Sequence, residues 1–208
     1  MQIAVVAVSV ALLGIAGLIF LLQRGGGGGD DESRPAKKSV FGTVQMVLGG
    51  VQNANAGGPA TLPDDAANQI MQMIGAYVDR GLVAPVKTGK PPENIAELFD
   101  AGTQPALEGP DKDILFESGQ PERTGDFTPA AEPVIITALS DGGGQFVLAT
   151  ATFNYSSNVV VKGGALQTAR TVALTFAPEG GVWKITGYDA TVSRQGAQVD
   201  VPAATAQG

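Results

Sequence analysis

The chain has 208 residues, a length that fits one domain with accessory segments. It contains no Cys and no His, which excludes disulfides, thiolate metal sites and the commonest general base near neutral pH. Its formal net charge is −7, and an acidic domain repels phosphate backbones. We therefore expect no nucleic-acid partner, no metal and no cofactor.

The first predicted element is an uncharged apolar run from Ile3 to Leu22. As a helix it would be roughly 30 Å long, which matches the hydrocarbon core of a bilayer. We therefore predict that residues 1–24 are the transmembrane anchor of a single-pass cell-membrane protein, with the lipid bilayer as the partner of residues 3–22. A cleaved signal peptide is the alternative, because small residues follow at 25–29, and the product would then be a secreted binding protein.

A flexible, Gly-rich linker is predicted at residues 25–60. It opens with five glycines, Gly25–Gly29, and continues with acidic residues. Within it, residues 40–51 are apolar but too few to span a bilayer. Two interpretations of this apolar segment stay open: an edge strand packed on the domain, or a segment lying at the membrane surface.

Three helical segments are predicted in the first half of the domain. Thr61–Asp64 combines a capping residue, an early Pro and an acid, and apolar residues then recur at helical spacing until Gly81, which we expect to end the helix. Pro91–Glu93 opens a second predicted helix. Residues 111–117 form a short third one.

Beyond Gly125 the apolar period changes to two, which predicts four strands: Val134–Leu139, Phe146–Tyr155, residues 166–176 and Val182–Ser193. Helices followed by antiparallel strands indicate an α+β fold. We predict helices packed on one face of a curved, mainly antiparallel four-stranded sheet with a cone-like shape, at residues 61–195. A disordered tail is predicted at residues 196–208.

Three segments carry a resemblance to a known family: the helix at Asp64–Arg80, the segment Ala96–Ala101, and the last strand, Val182–Arg194, with its W-x-I-x-x-Y pattern. On these, residues 62–195 resemble the nuclear-transport-factor-like superfamily of cone-shaped α+β domains. The layout is similar to that of its membrane-anchored accessory members, such as mammalian-cell-entry-associated proteins and the bitopic subunits of type IV secretion systems. The resemblance implies an extracytoplasmic domain.

Catalytic members of that superfamily use Asp and Tyr inside the cone, often with His. The candidates in this chain are Tyr77, Asp79, Asp100, Tyr155, Tyr188 and Asp189. Neighbouring residues on a strand point to opposite faces, so Tyr188 and Asp189 cannot line one pocket. We therefore assign no catalytic, cofactor or metal residue. A possible pocket is predicted from Tyr77, Phe99, Tyr155 and Tyr188.

Two functions are compatible with these features. The first is a non-catalytic interaction or scaffold module at the cell envelope, which presents its sheet or an edge strand to a protein partner or to a second copy of itself. The second is a small-molecule binder, or a lyase- or isomerase-like enzyme, that uses the cone interior. A domain interior filled by large aromatic side chains would argue against the second. The relevant residues are Phe99, Phe153, Phe176 and Trp183.

Overall fold

One large β-sheet with helices on one of its faces makes up most of the computed structural model, which describes residues 38–39, 44–54, 62–197 and 201–208. These residues all lie within one unit of the chain, 36–208. The strands are β1 (Lys38–Ser39), β2 (Met46–Asn53), β3 (Arg123–Ala131), β4 (Val134–Ser140), β5 (Phe146–Val161), β6 (Gly164–Glu179), β7 (Val182–Gly196) and β8 (Val201–Gln207). Their order across the sheet is β1-β2-β4-β5-β6-β7-β8.

The middle of the sheet is an antiparallel meander built from the period-two segments of the sequence. β5 and β6 have 16 residues each and pair along almost their whole length. β4 pairs with the first half of β5 and β3 with the second half, so β3 and β4 share one edge of β5. β2 pairs with β4 in parallel, which makes the sheet mixed.

The helices begin with α1 (Asp64–Tyr77), whose two acidic residues in the first turn favour the positive end of the helix dipole. A π-helical turn, Val78–Val83, and α2 (Ala84–Thr88) continue directly from it. Two 3₁₀ turns, Ala96–Leu98 and Gln104–Glu108, precede α3 (Lys112–Leu115).

The expectation that Gly81 ends the first helix is wrong. Gly81 lies inside the π-helical turn. A Cβ at this position would come within 3.0 Å of the Phe116 ring. The absence of a side chain therefore lets Phe116 pack against the helix. The Gly81 carbonyl also accepts a hydrogen bond from the backbone N–H of Glu117, at 2.9 Å.

The core lies between the helices and the inward face of the sheet. Ile70, Ile74 and Leu82 come from the helical side, and Ile136 and Leu174 from the sheet, and all of them are fully buried. Inward and outward positions alternate along β5 and β6, as the pleat requires. We call the opposite, outward side of β5, β6 and β7 the open face.

The predicted fold class is wrong. The described residues are mostly strand, in a mixed sheet with many more than four strands, and only α1, with 14 residues, is a helix of more than six residues. β2 lies mostly in the apolar segment at residues 40–51 of the predicted linker, for which a strand packed on the domain was one of the two interpretations. β8 arises from the segment predicted as a tail, where apolar alternation is weak. β3 contains Gly125 and Pro129, which hide its strand character in the sequence.

The predicted single-pass membrane location is also contradicted. In the part of the chain that the structure describes, no helix is both long and apolar enough to cross a bilayer. Residues 3–22, which carried that prediction, lie outside the described residues. We therefore build nothing further on a membrane location.

Candidate functional site

Two of the four predicted pocket residues, Tyr77 and Phe99, lie together in the core. Both are buried, and their rings pack edge to face with centroids 6.5 Å apart. The Tyr77 hydroxyl donates a hydrogen bond to the carbonyl of Leu115 at 2.6 Å, which links α1 to α3. Burial raises the pKa of Tyr77 to about 12. Tyr77 is therefore a packed and hydrogen-bonded core residue that stays neutral at physiological pH.

The other two predicted pocket residues have different surroundings. Tyr155 is buried on the inward side of β5, and burial raises its pKa, with the negative charge of Glu117 adding to the effect. Tyr188, on β7, donates a hydrogen bond to Asp111 Oδ2 at 2.8 Å. Burial, followed by this hydrogen bond, raises the pKa of Tyr188 to about 12. Asp189 points to the open face and accepts a hydrogen bond from Gln207 at 3.0 Å.

The two remaining acidic candidates lie outside the core. Asp79 is half-buried on the π-helical turn. Asp100 is in the turn after Phe99, and its carboxylate accepts a hydrogen bond from the backbone N–H of Thr103 at 2.9 Å. Hydrogen bonding by Thr103 lowers the pKa of Asp100, mainly through the Thr103 side chain. Asp100 is thus a turn-stabilising carboxylate that is ionised at neutral pH.

Large aromatic side chains fill the domain interior. Phe99, Phe153, Phe176 and Trp183 are all buried in the one core cluster that includes α1. The Tyr77 ring also packs against Phe153, with centroids 6.5 Å apart. This packing argues against a substrate site at the centre of the interior. The hypothesis of a binder or enzyme that uses the domain interior stays a prediction.

The polar feature of the interior is a trio of charged side chains, Glu117, Arg170 and Arg194, which we call the buried ion cluster. Arg170 Nη2 lies 3.0 Å from Glu117 Oε1, and Arg194 Nη2 lies 3.3 Å from Glu117 Oε2. The side chains of Glu117, Arg170 and Arg194 are 1%, 0% and 8% exposed. One buried carboxylate is therefore shared by two buried guanidinium groups.

Strand register and the α3 segment bring this cluster together. Arg170, on β6, lies directly between Tyr155 of β5 and Val192 of β7, on the inward face. Arg170 Nη2 also approaches the carbonyl of Phe116, at 3.4 Å. Arg194 Nη2 donates to the carbonyl of Asp113, at 3.0 Å. The two arginines thus hold the end of α3 and the residues after it against the sheet.

Several donors of the cluster have no hydrogen-bond partner within the described residues. They are Nε and Nη1 of Arg170 and Nε of Arg194, all three buried. The Tyr155 hydroxyl is also buried without a hydrogen-bond partner among the described residues. Its interaction with Ser157 lowers the pKa of Tyr155 and so opposes the larger effect of burial. The cluster therefore combines an excess of positive charge with unused donors.

A second polar feature is a groove of about 610 Å³ on the open face of the sheet. Its floor is a row of short side chains that the strand register aligns across β3, β5, β6 and β7: Ala130, Ser156, Ala169 and Ser193. Because these side chains are short, the groove is open to solvent along the row.

One side of the groove is a hydrogen-bonded row of longer side chains. Asn154 donates to Glu132 Oε2 at 2.8 Å, and the Thr171 hydroxyl donates to Asn154 Oδ1 at 2.9 Å. Thr191 lies opposite Thr171, and its hydroxyl is 3.3 Å from that of Thr205 on β8. The row crosses the sheet from Glu132, in the connection between β3 and β4, to β8, and its hydrogen bonds orient these polar groups.

Comparisons with known proteins give no relative. No protein-family model, no curated protein and no solved structure matches the chain. The resemblance to the nuclear-transport-factor-like superfamily therefore stays a prediction. Among the described residues, no group of three or more acidic side chains is arranged to hold a metal ion.

Glu117, Arg170 and Arg194 were not among the candidate residues predicted from the sequence. The signal was present, because Arg170 has the same strand parity as the apolar residues Leu166 and Val172. A charged residue on the apolar side of a strand indicates either a buried ion pair or a binding site.

Proposed function

We propose that the domain is a non-catalytic interaction module and that two copies associate through the open face of the sheet. The observation that carries the proposal is the groove on this face, with its floor of short, uncharged side chains. The inward face is occupied by the core. The open face is thus a broad structured surface whose central strands have no covering layer among the described residues.

The distribution of charge favours a second copy as the partner. Two chains of net charge −7 repel each other, so a contact between them requires a surface with few charges. On β5 and on residues 165–177 of β6, all of them described, the outward positions carry no charged side chain. Glu132 at the side of the groove and Asp189 on β7 are charged, and each accepts a hydrogen bond from a neighbouring amide side chain. Depletion of charge is the compositional signal of the centre of a protein interface.

The same surface supplies complementary hydrogen-bonding groups. Asn, Thr and Ser side chains both donate and accept, so a patch made of them can pair with its own two-fold copy. Two such sheets would stack with the floor row of each over the groove of the other. The interface would be polar and partly hydrated, which is compatible with specific association.

The test is the oligomeric state of the full chain, measured by sedimentation equilibrium over a wide range of concentrations. We expect a reversible monomer–dimer equilibrium. Ala169→Arg places a long cation on the groove floor of each copy and should weaken the dimer by at least about tenfold. Ala101→Arg, at an exposed position in the turn after Phe99, is the matched control and should leave the equilibrium unchanged.

A wild-type chain that stays monomeric at every concentration would refute the proposal. So would a dimer that Ala169→Arg leaves intact while the variant remains folded by circular dichroism. Dimerisation through an edge strand, such as β8, would give this second result.

A further inference from the structure

We propose that the buried ion cluster binds a small oxyanion, a carboxylate or a phosphate, between Arg170, Arg194 and Tyr155. This site would be distinct from the open face, and it does not depend on self-association. The inference comes from three properties of the cluster: its charge, its unused donors and its position relative to solvent.

The first property is an unbalanced charge. Arg170 and Arg194 contribute two positive charges, and Glu117 contributes one negative charge, with all three side chains buried. A buried charge without a counter-charge is strongly unfavourable. Two other carboxylates of the same chain segment are engaged elsewhere: Asp113 accepts a hydrogen bond from Ser118 at 2.7 Å on the exposed side, and Asp111 accepts one from Tyr188.

The second property is a set of donors without acceptors. Arg170 Nε and Nη1 together carry three N–H groups, and Arg194 Nε carries one more. The Tyr155 hydroxyl is a fifth donor, on a residue that lies opposite Arg170 in the strand register. An oxyanion offers several acceptor atoms and one or more negative charges, so it satisfies both deficits at once. Water can satisfy the donors but not the charge.

The third property is the residual exposure of the Arg194 side chain to solvent. This arginine is 8% exposed, whereas Arg170 is fully buried. Of the two residues that follow Glu117, Ser118 is half-buried and Gly119 is exposed. We expect a small anion to enter between Arg194 and this segment, and the narrow access restricts the ligand to a small molecule or a single ionised group.

The experiment is thermal unfolding of the full chain in sodium phosphate and in sodium acetate, each compared with sodium chloride at the same ionic strength. A ligand that binds only the folded state raises the unfolding temperature with the logarithm of its concentration. We expect this rise with at least one of the two oxyanions, and saturable binding of that anion in calorimetry. The anion that binds more tightly identifies the class of ligand. Equal unfolding temperatures in all three salts would overturn the proposal.

Variants separate anion binding from a purely structural role of the cluster. Glu117→Gln removes the internal carboxylate that competes for the arginines, so we expect affinity for the anion to rise at least about tenfold even though the protein is less stable. Arg194→Met should weaken binding by a similar factor. Arg80→Met removes an exposed arginine that pairs with Glu97 at 3.4 Å, and it should leave binding unchanged.

If the cluster only supports the fold, Glu117→Gln and Arg194→Met would both lower stability with the same anion dependence as the wild type, and the proposal would be refuted. Because Glu117→Gln is nearly isosteric, it preserves a hydrogen-bonding side chain between the arginines. Its predicted gain in affinity can therefore be measured even if Arg194→Met does not fold.

Discussion

The charged side chain of Arg170 is fully buried at the centre of the sheet, and the residue lies between Tyr155 on one neighbouring strand and Val192 on the other. Its ion pair with Glu117 is weak evidence for stability, because desolvation of both ions offsets their attraction. Removing one partner of the ion pair leaves the other charge buried and unpaired, which typically lowers the free energy of unfolding by about 3–5 kcal/mol. The cluster is therefore costly to disrupt, whether or not it contributes net stability.

The pKa values of the tyrosines predict how the native protein titrates at alkaline pH. The chain has three, and burial raises the pKa of each of them above its ordinary value of 10. We expect spectrophotometric titration of the native protein to show almost no phenolate at pH 11, whereas the protein in denaturant should titrate near pH 10. Native titration of even one tyrosine near pH 10 would contradict the described burial.

The same shifts predict how stability depends on pH. The folded state holds the tyrosine protons more tightly than the unfolded state does, so their contribution is complete below about pH 10. It is lost as pH rises through about 12, the folded pKa of Tyr77 and Tyr188. Alkaline unfolding should therefore begin within this window.

Among the residues of the candidate sites, the sequence indicates the buried tyrosines but not their partners. Tyr77 lies on the apolar face of a helix and Tyr155 on the apolar side of a strand, so both were predicted to face the interior. The acceptor of Tyr77 is the carbonyl of Leu115, 38 positions away. A backbone acceptor leaves no trace in residue type, and only the fold brings it into reach.

At the level of elements, the turn at the end of β7 depends on one glycine. Gly196 has φ +95°, and a Cβ there would clash with the carbonyl oxygen of Ala165 on β6. We expect Gly196→Ala to lower the free energy of unfolding by about 2 kcal/mol or more, measured by urea denaturation. Gly142→Ala is the matched control, because the added Cβ would meet nothing within 4 Å, and its effect should stay within about 0.5 kcal/mol.

The elements that the sequence predicts well are those whose apolar alternation is strong. β4, β5, β6 and β7 were all expected, and in each of them most of the inward residues are apolar. β8 could not be expected from composition, because its sequence, VPAATAQ, has a proline and mainly small residues. Its place is set by backbone pairing with β7, including the reciprocal hydrogen bonds between Tyr188 and Gly208.

At the level of the whole molecule, all the described structure belongs to one compact unit of the chain, residues 36–208. We expect a variant that lacks residues 1–35 to unfold in one cooperative transition, with a midpoint within a few degrees of that of the full chain. Circular dichroism during heating tests this expectation. A broad transition, or a much lower midpoint, would show that the first 35 residues contribute to the fold.

The parallel pairing of β2 with β4 also has a consequence for biosynthesis. The contacts within β4 to β7 are between neighbours in the chain, but Val51 of β2 lies opposite Ile136. The ribosome therefore makes β2 roughly 85 residues before its partner, which at about 5–20 residues per second leaves it without that neighbour for several seconds. During this interval the nascent chain exposes an apolar segment with unpaired backbone groups. A chaperone that shields nascent strands should therefore act on this protein early in translation, near Met46–Asn53.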